Sequence, residues 1–347
     1  MLWKAISDFK EVFLILLIGY LVNFPIFMLV LGQSYVPLPL GKVILSFVAV
    51  QFSFMMFYFF LDLVDSVFKN KLFWDQYEKI YDRDYVYSII CRSFVFTVMM
   101  TLLVVLQTNV KIFFNEFLTI NNKWDQLFQS LDVFLFIGHH PWKIISSAIP
   151  HDILQLLIII LDANYMFWFC IQWFFVFDAT YIAPKAYRKE ALLNFVMVWV
   201  LGTQMGGLFT SGGPFFNMTN THNVEQIQFL LDLNFSFNLM CIKAQGFLWD
   251  VFLGGTNLKS GISAFPSLHV GISYLVYRFS CKRAPVWLRR FCFIFFILIW
   301  FSSIILGWHY FIDGLGAIAL VHLCERLTQL LLRQSTHPSS FSDSQKT

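Results

Sequence analysis

Two short stretches place imidazoles and a carboxylate at spacings that chemistry uses. In Gly307-Trp308-His309-Tyr310-Phe311-Ile312-Asp313, the histidine and the aspartate stand four residues apart. On a helix they share one face. A carboxylate there accepts a hydrogen bond from one imidazole nitrogen and leaves the other unprotonated and aimed outward. That is the arrangement of a nucleophile or base oriented by an acidic residue. The second stretch is Ala264-Phe265-Pro266-Ser267-Leu268-His269-Val270. Pro266 breaks the backbone ahead of a helix, and Ser267 can cap its start. The free N–H groups of such a start form an anion site, and His269 sits in its first turn. A single histidine at a helix end is more often an interfacial residue. Two histidines with one aspartate weigh toward catalysis.

The elements that must position these groups are apolar helices. Of 347 residues, 58% are hydrophobic, 13% are charged and 43 are Phe. A soluble domain carries roughly 25% charged residues, so much of this surface must meet lipid. Runs of about 20 apolar residues occur near 11–32, 43–64, 85–106, 152–176, 190–211, 263–280, 291–308 and 309–332. None alternates with period two, which excludes a β-barrel. The expected fold is all-α, a polytopic bundle of about eight membrane helices. Basic residues gather in alternate connections: Lys69, Lys71, Lys79 and Arg83; Lys185, Arg188 and Lys189; Arg278, Lys282, Arg283, Arg289 and Arg290. Lys and Arg favour cytoplasmic loops, which puts both termini in the cytoplasm. A descending helix, a basic turn and an ascending helix separate His269 from His309. At about 1.5 Å per residue they return to one extracytoplasmic face.

Other residues carry weaker signals. The net charge of +3 argues against nucleic-acid binding. Six scattered cysteines without a Cys-x-x-Cys pair form neither a disulfide framework nor a zinc site, and no metal or cofactor is expected. Trp124, Leu127, Phe128 and Leu131 are spaced as one apolar helix face, so 111–150 reads as interfacial helices. His139 and His140 fit an interfacial turn better than a substrate contact, and His151-Asp152 fits a helix start. Arg92 and Asp162 lie inside spans and could pair or line a cavity. Asn217 and Asn234 begin glycosylation tripeptides.

The histidine stretches resemble two signatures of the type-2 phosphatidic acid phosphatase superfamily, over about 150–325. The resemblance implies a six-helix catalytic core, placed at 111–332 after the N-terminal membrane helices at 1–110; the Ser-rich residues 333–347 read as a disordered cytoplasmic tail. It implies that His309 attacks phosphorus to form a phosphohistidine, that Asp313 orients it, and that His269 protonates the leaving oxygen without a metal. The third signature of that family has an Arg six residues before its His, where this chain has Ser303. The first signature, a Lys followed by Arg-Pro, is not recognisable. This departure resembles the branch of inositol phosphorylceramide and sphingomyelin synthases. Ser211-Gly212-Gly213-Pro214-Phe215-Phe216 is also similar to a loop of that branch.

The expected function is therefore a membrane phosphotransferase or phosphatase acting on a lipid, with transfer favoured over hydrolysis. Its partner is a lipid substrate in the bilayer. Ser267, Gly213 and Pro214 are candidate substrate contacts. Lys259 is the candidate phosphate cation, with Lys243 behind it. The alternative is a non-catalytic lipid binder or transporter that retains the fold.

Overall fold

The segment Lys185–Leu208 forms the helix around which the others are arranged. It is sheathed on nearly all sides: Ala191 through Val198 are all buried, an unbroken run that no amphipathic surface helix could hide. The computed structural model describes residues 3, 6–7, 9–31, 40–68, 83–117, 123–217, 221–252 and 262–336. Lys259, residues 69–82 and residues 337–347 lie outside them.

Twelve α-helices and no strand occur among the described residues. In chain order they are α1 (Lys10–Leu31), α2 (Leu40–Phe68), α3 (Arg83–Phe117), α4 (Lys123–Leu135), α5 (Pro141–Ala148) and α6 (His151–Phe177). There follow α7 (Lys185–Leu208), α8 (Thr221–Phe237), α9 (Met240–Phe252), α10 (Leu268–Arg283), α11 (Val286–Ile305) and α12 (Phe311–Thr336). The spans at Val86–Lys111, His151–Ile182, Lys185–Leu208, Val286–Ile305 and Phe311–Arg333 are long and apolar enough to cross a membrane. Exposed Leu, Ile, Phe and Val line the outer faces of α1, α3, α6 and α11. This is a membrane protein built as a helical bundle.

Helix α7 packs against α1, α3, α10 and α12, so the N-terminal helices touch the same central element as the histidine-bearing ones. Lipid is as apolar as a leucine side chain, so close packing has to hold such helices together. Small residues provide it here. A Cβ on Gly202 would collide with Leu268, and one on Gly206 with the Ser263 hydroxyl. These two glycines let the approach to α10 lie directly on α7.

Of the basic connections, those at 178–189 and 278–290 meet at the end of the bundle away from His269 and His309. Arg283 pairs with Asp178 at 2.8 Å, Lys282 with Glu190 at 2.6 Å and Lys189 with Glu11 at 3.2 Å. Partly exposed pairs of this kind contribute about 0–1 kcal/mol each. Their value is in showing that three separate connections share one end.

Helix α3 runs on to Phe117. Lys111 therefore belongs to the end of a spanning helix, and not to the start of a surface segment.

Candidate active site

The turn between α11 and α12 carries His309. Its backbone N–H donates to the Ser303 carbonyl at 3.1 Å, as does that of Trp308 at 2.9 Å. Gly307, at φ +72°, makes the reversal. The sequence expectation put His309 and Asp313 on one helix; His309 instead precedes α12, with Asp313 in the first turn. The pair still meets, with His309 Nδ1 3.4 Å from Asp313 Oδ2. That leaves Nε2 as the nitrogen away from the carboxylate. Asp313 is fully buried, and its Oδ2 accepts the Tyr310 N–H at 2.9 Å.

His269 occupies the first turn of α10, which Ser267 caps by accepting the Val270 N–H at 3.4 Å. The Ser267 N–H donates to the Asp313 carbonyl at 3.1 Å, locking the two histidine-bearing segments together. The imidazole lies against Tyr165 and Trp168, with ring centroids at 4.5 and 4.3 Å. Trp168 Nε1 donates to the His269 carbonyl at 3.0 Å. Two aromatic faces of α6 thus fix the ring's orientation. The His269 and His309 rings stand 6.0 Å apart and line one cavity of about 180 Å³. A small group between them would be within reach of both.

The other expected contacts take different places. Ser267 is wholly buried as a cap, behind the cavity. Gly213 and Pro214 are buried in the loop after α7 and hold the wall in place. The Ala264 N–H donates to the Ser211 carbonyl at 2.7 Å, and the Phe215 N–H to the Gly307 carbonyl at 2.9 Å. This loop therefore ties both histidine segments. Gly213 has φ +79°, and a Cβ there would run into the Trp308 carbonyl. Gly213→Ala should destabilise the protein by about 2 kcal/mol or more, read from thermal melts. An unchanged melting temperature would remove the loop from the site's support. Lys243 is exposed on α9, and Lys259 lies outside the described residues.

Two carboxylates that the sequence reading passed over support this site. Asp132 on α4 accepts the Phe311 N–H at 2.7 Å and the Ile312 N–H at 2.9 Å. With Asp313 holding Tyr310, the unpaired donors at the start of α12 are met by two buried carboxylates. Asp125, two turns earlier, accepts from Ser211 Oγ at 2.9 Å, Gly212 N at 3.1 Å and Gly213 N at 3.0 Å. Helix α4 therefore clamps the His309 turn with one residue and the 211–213 loop with another. Burial pushes both carboxyls above the usual range, Asp132 to about 7 with the charge of Asp313 adding to it.

Of the apolar face expected here, Trp124, Leu127, Phe128 and Leu131, Phe128 is buried against Phe265 and Leu127 is exposed. Helix α4 buries Asp125, Phe128, Gln129 and Asp132, the i, i+3, i+4, i+7 stripe. Leu127, Phe134 and Leu135 face outward. A helix at a lipid surface turns its apolar side away from the protein. Asp162 does similar work, accepting the Met240 and Cys241 N–H groups at 2.9 and 2.8 Å to start α9. It caps a helix and does not pair with Arg92. His140 is a buried helix start held neutral, its pKa lowered to about 4 chiefly by burial. Asn217 is buried, with Nδ2 donating to the Tyr310 hydroxyl at 3.0 Å, so it is no accessible glycosylation site.

Ser303 stands where the resemblance would put an arginine. It is fully buried and donates to the Trp300 carbonyl at 2.7 Å. No group of three or more metal-ligating side chains occurs among the described residues. Residues 131–325 match the family model described as the PAP2 superfamily. No curated protein and no solved structure matches the chain.

Proposed function

The chain belongs to the PAP2 superfamily, and from that membership we propose that it transfers a phosphoryl-linked group of a membrane lipid through a phosphohistidine on His309. The observation that carries this reading is the single cavity in which the His269 and His309 rings face each other at 6.0 Å, with Asp313 3.4 Å behind His309.

In the first step the His309 Nε2 lone pair attacks phosphorus. The bond from phosphorus to the leaving oxygen breaks, and protonated His269 gives its proton to that oxygen. Asp313 takes a hydrogen bond from His309 Nδ1–H and offsets the positive charge that builds on the ring. In the second step neutral His269 removes the proton from an incoming hydroxyl. That oxygen attacks phosphorus, and the P–N bond breaks to restore His309. An alcohol acceptor gives transfer; water gives hydrolysis.

Transfer is favoured because Ser303 and the 211–216 loop resemble the inositol phosphorylceramide synthase-like branch. The cavity, at about 180 Å³, is smaller than the roughly 300–1,000 Å³ that encloses a drug-sized ligand. It suits a phosphate headgroup, with the acyl chains left in the bilayer. The basic connections at the opposite end support cytoplasmic termini and a site on the extracytoplasmic side.

The test uses purified protein in lipid nanodiscs, labelled phospholipids, and an alcohol acceptor added or withheld. His269→Ala should lower headgroup transfer about 10²–10⁴-fold. A lipid analogue with a nitrophenol leaving group, which needs no proton, should restore much of the loss. No turnover by wild type on any phospholipid, or His269→Ala at wild-type rates on both substrates, would end this reading. Saturable lipid binding without turnover would leave the chain a lipid carrier.

A further inference from the structure

The cavity wall carries a cation that comes from outside the family-matched segment. Lys111, near the end of α3, lines the same cavity as His269, His309 and Trp308. Its side chain is partly buried, and none of the ion pairs among the described residues involves it. The described lining residues include no Asp or Glu.

A positive charge in a mostly aromatic and apolar wall, without a carboxylate, is costly unless an anion sits beside it. The chemistry next to it calls for one. A phosphate between the two histidines brings at least one negative charge, and Ser303 supplies no cation to meet it. We propose that Lys111 is the phosphate-holding cation of this site, so that the N-terminal helices complete the substrate pocket. This rests on reading the cavity as a phosphoryl-transfer site.

The placement has a physical logic. Helix α3 packs on α7, and α7 carries the 263–268 segment through Gly202 and Gly206. Lys111 is thereby brought to the cavity that the start of α10 also lines, where free N–H groups also favour an anion. A lysine supplies a point charge with three rotatable donors in place of an arginine's fixed fork. It can follow the phosphate as the bond order changes.

The experiment compares wild type, Lys111→Met and Lys111→Arg in nanodiscs, with melting temperatures as the folding check. Inorganic phosphate binding is measured by calorimetry, and labelled phospholipid turnover in parallel. Phosphate affinity should fall at least tenfold in Lys111→Met and stay within a few-fold of wild type in Lys111→Arg. Turnover should fall about 100-fold in Lys111→Met and recover in Lys111→Arg. Should Lys111→Met fail to fold, Lys111→Gln is read in its place. Equal phosphate affinity in wild type and the folded neutral variant, or no phosphate binding by wild type, overturns the assignment. Phosphate binding that depends on Lys111, in a protein whose turnover is absent or indifferent to His309→Ala, upholds the cation and rejects the catalytic reading.

Discussion

His309→Ala is expected to abolish turnover, with a fall of at least about 10⁴-fold, the scale seen when a covalent nucleophile is removed. The loss should hold for every leaving group. Alanine removes the atom that bonds phosphorus, so no chemistry at the leaving oxygen can compensate. This separates His309 from His269, whose replacement a good leaving group rescues. A second readout follows from the proposed intermediate. Wild type given phosphorus-labelled lipid without acceptor should hold label that is lost in acid and kept in alkali, as a phosphoramidate is. His309→Ala should hold none. The fold should survive, because the His309 ring makes no hydrogen bond that the turn depends on. The turn is held by backbone donation to Ser303 and by Asp132 and Asp313 on the N–H groups that follow. Label retained by the alanine variant would place the nucleophile elsewhere.

Asp132→Ala should be the most damaging change outside the cavity. It leaves two half-buried backbone donors, Phe311 and Ile312, without acceptors. At about 1–3 kcal/mol for each unmet group, the loss of stability should reach about 2–4 kcal/mol. The helix start it frees carries Asp313 and follows His309 directly. A displacement of about 1 Å there costs about 100-fold in rate, so turnover should fall by about that factor.

The effect on stability also carries a pH signature. Burial raises the Asp132 carboxyl to about 7 from an ordinary carboxylate value of 3.8. A group raised on folding contributes stability below its unfolded pKa, and that contribution is lost as pH rises through the folded one. The wild-type melting temperature should therefore fall between about pH 4 and 7 more steeply than that of Asp132→Asn, which cannot titrate. Parallel slopes would show that Asp132 ionises freely. Wild-type turnover in Asp132→Ala would show that the His309 turn holds itself.

How much was legible in advance depended on whether a contact is local. The capping of α10 by Ser267 was readable, because Pro-Ser-x-His sets a helix start within four residues. The meeting of His309 with Asp313 was readable for the same reason, although the helix begins two residues later than expected. The clamp by α4 was not. A period-3.6 pattern says which residues share a face but not which side faces the protein. At a lipid boundary an apolar residue such as Leu127 can face outward, while Asp125 and Asp132 share the buried face with Phe128 and do the bonding.

The sequence alone determined that this chain is a helical membrane protein in which His309 and Asp313 stand within one turn of each other, since hydropathy and short-range spacing are properties of the chain itself. Tertiary structure decided what stands around them. Lys111 lies 158 residues before His269, and Asp132 lies 179 before Phe311. No periodicity spans such intervals. Only the packing of α3 and α12 on α7, and of α4 across the start of α12, brings a cation to the cavity and carboxylates behind its walls.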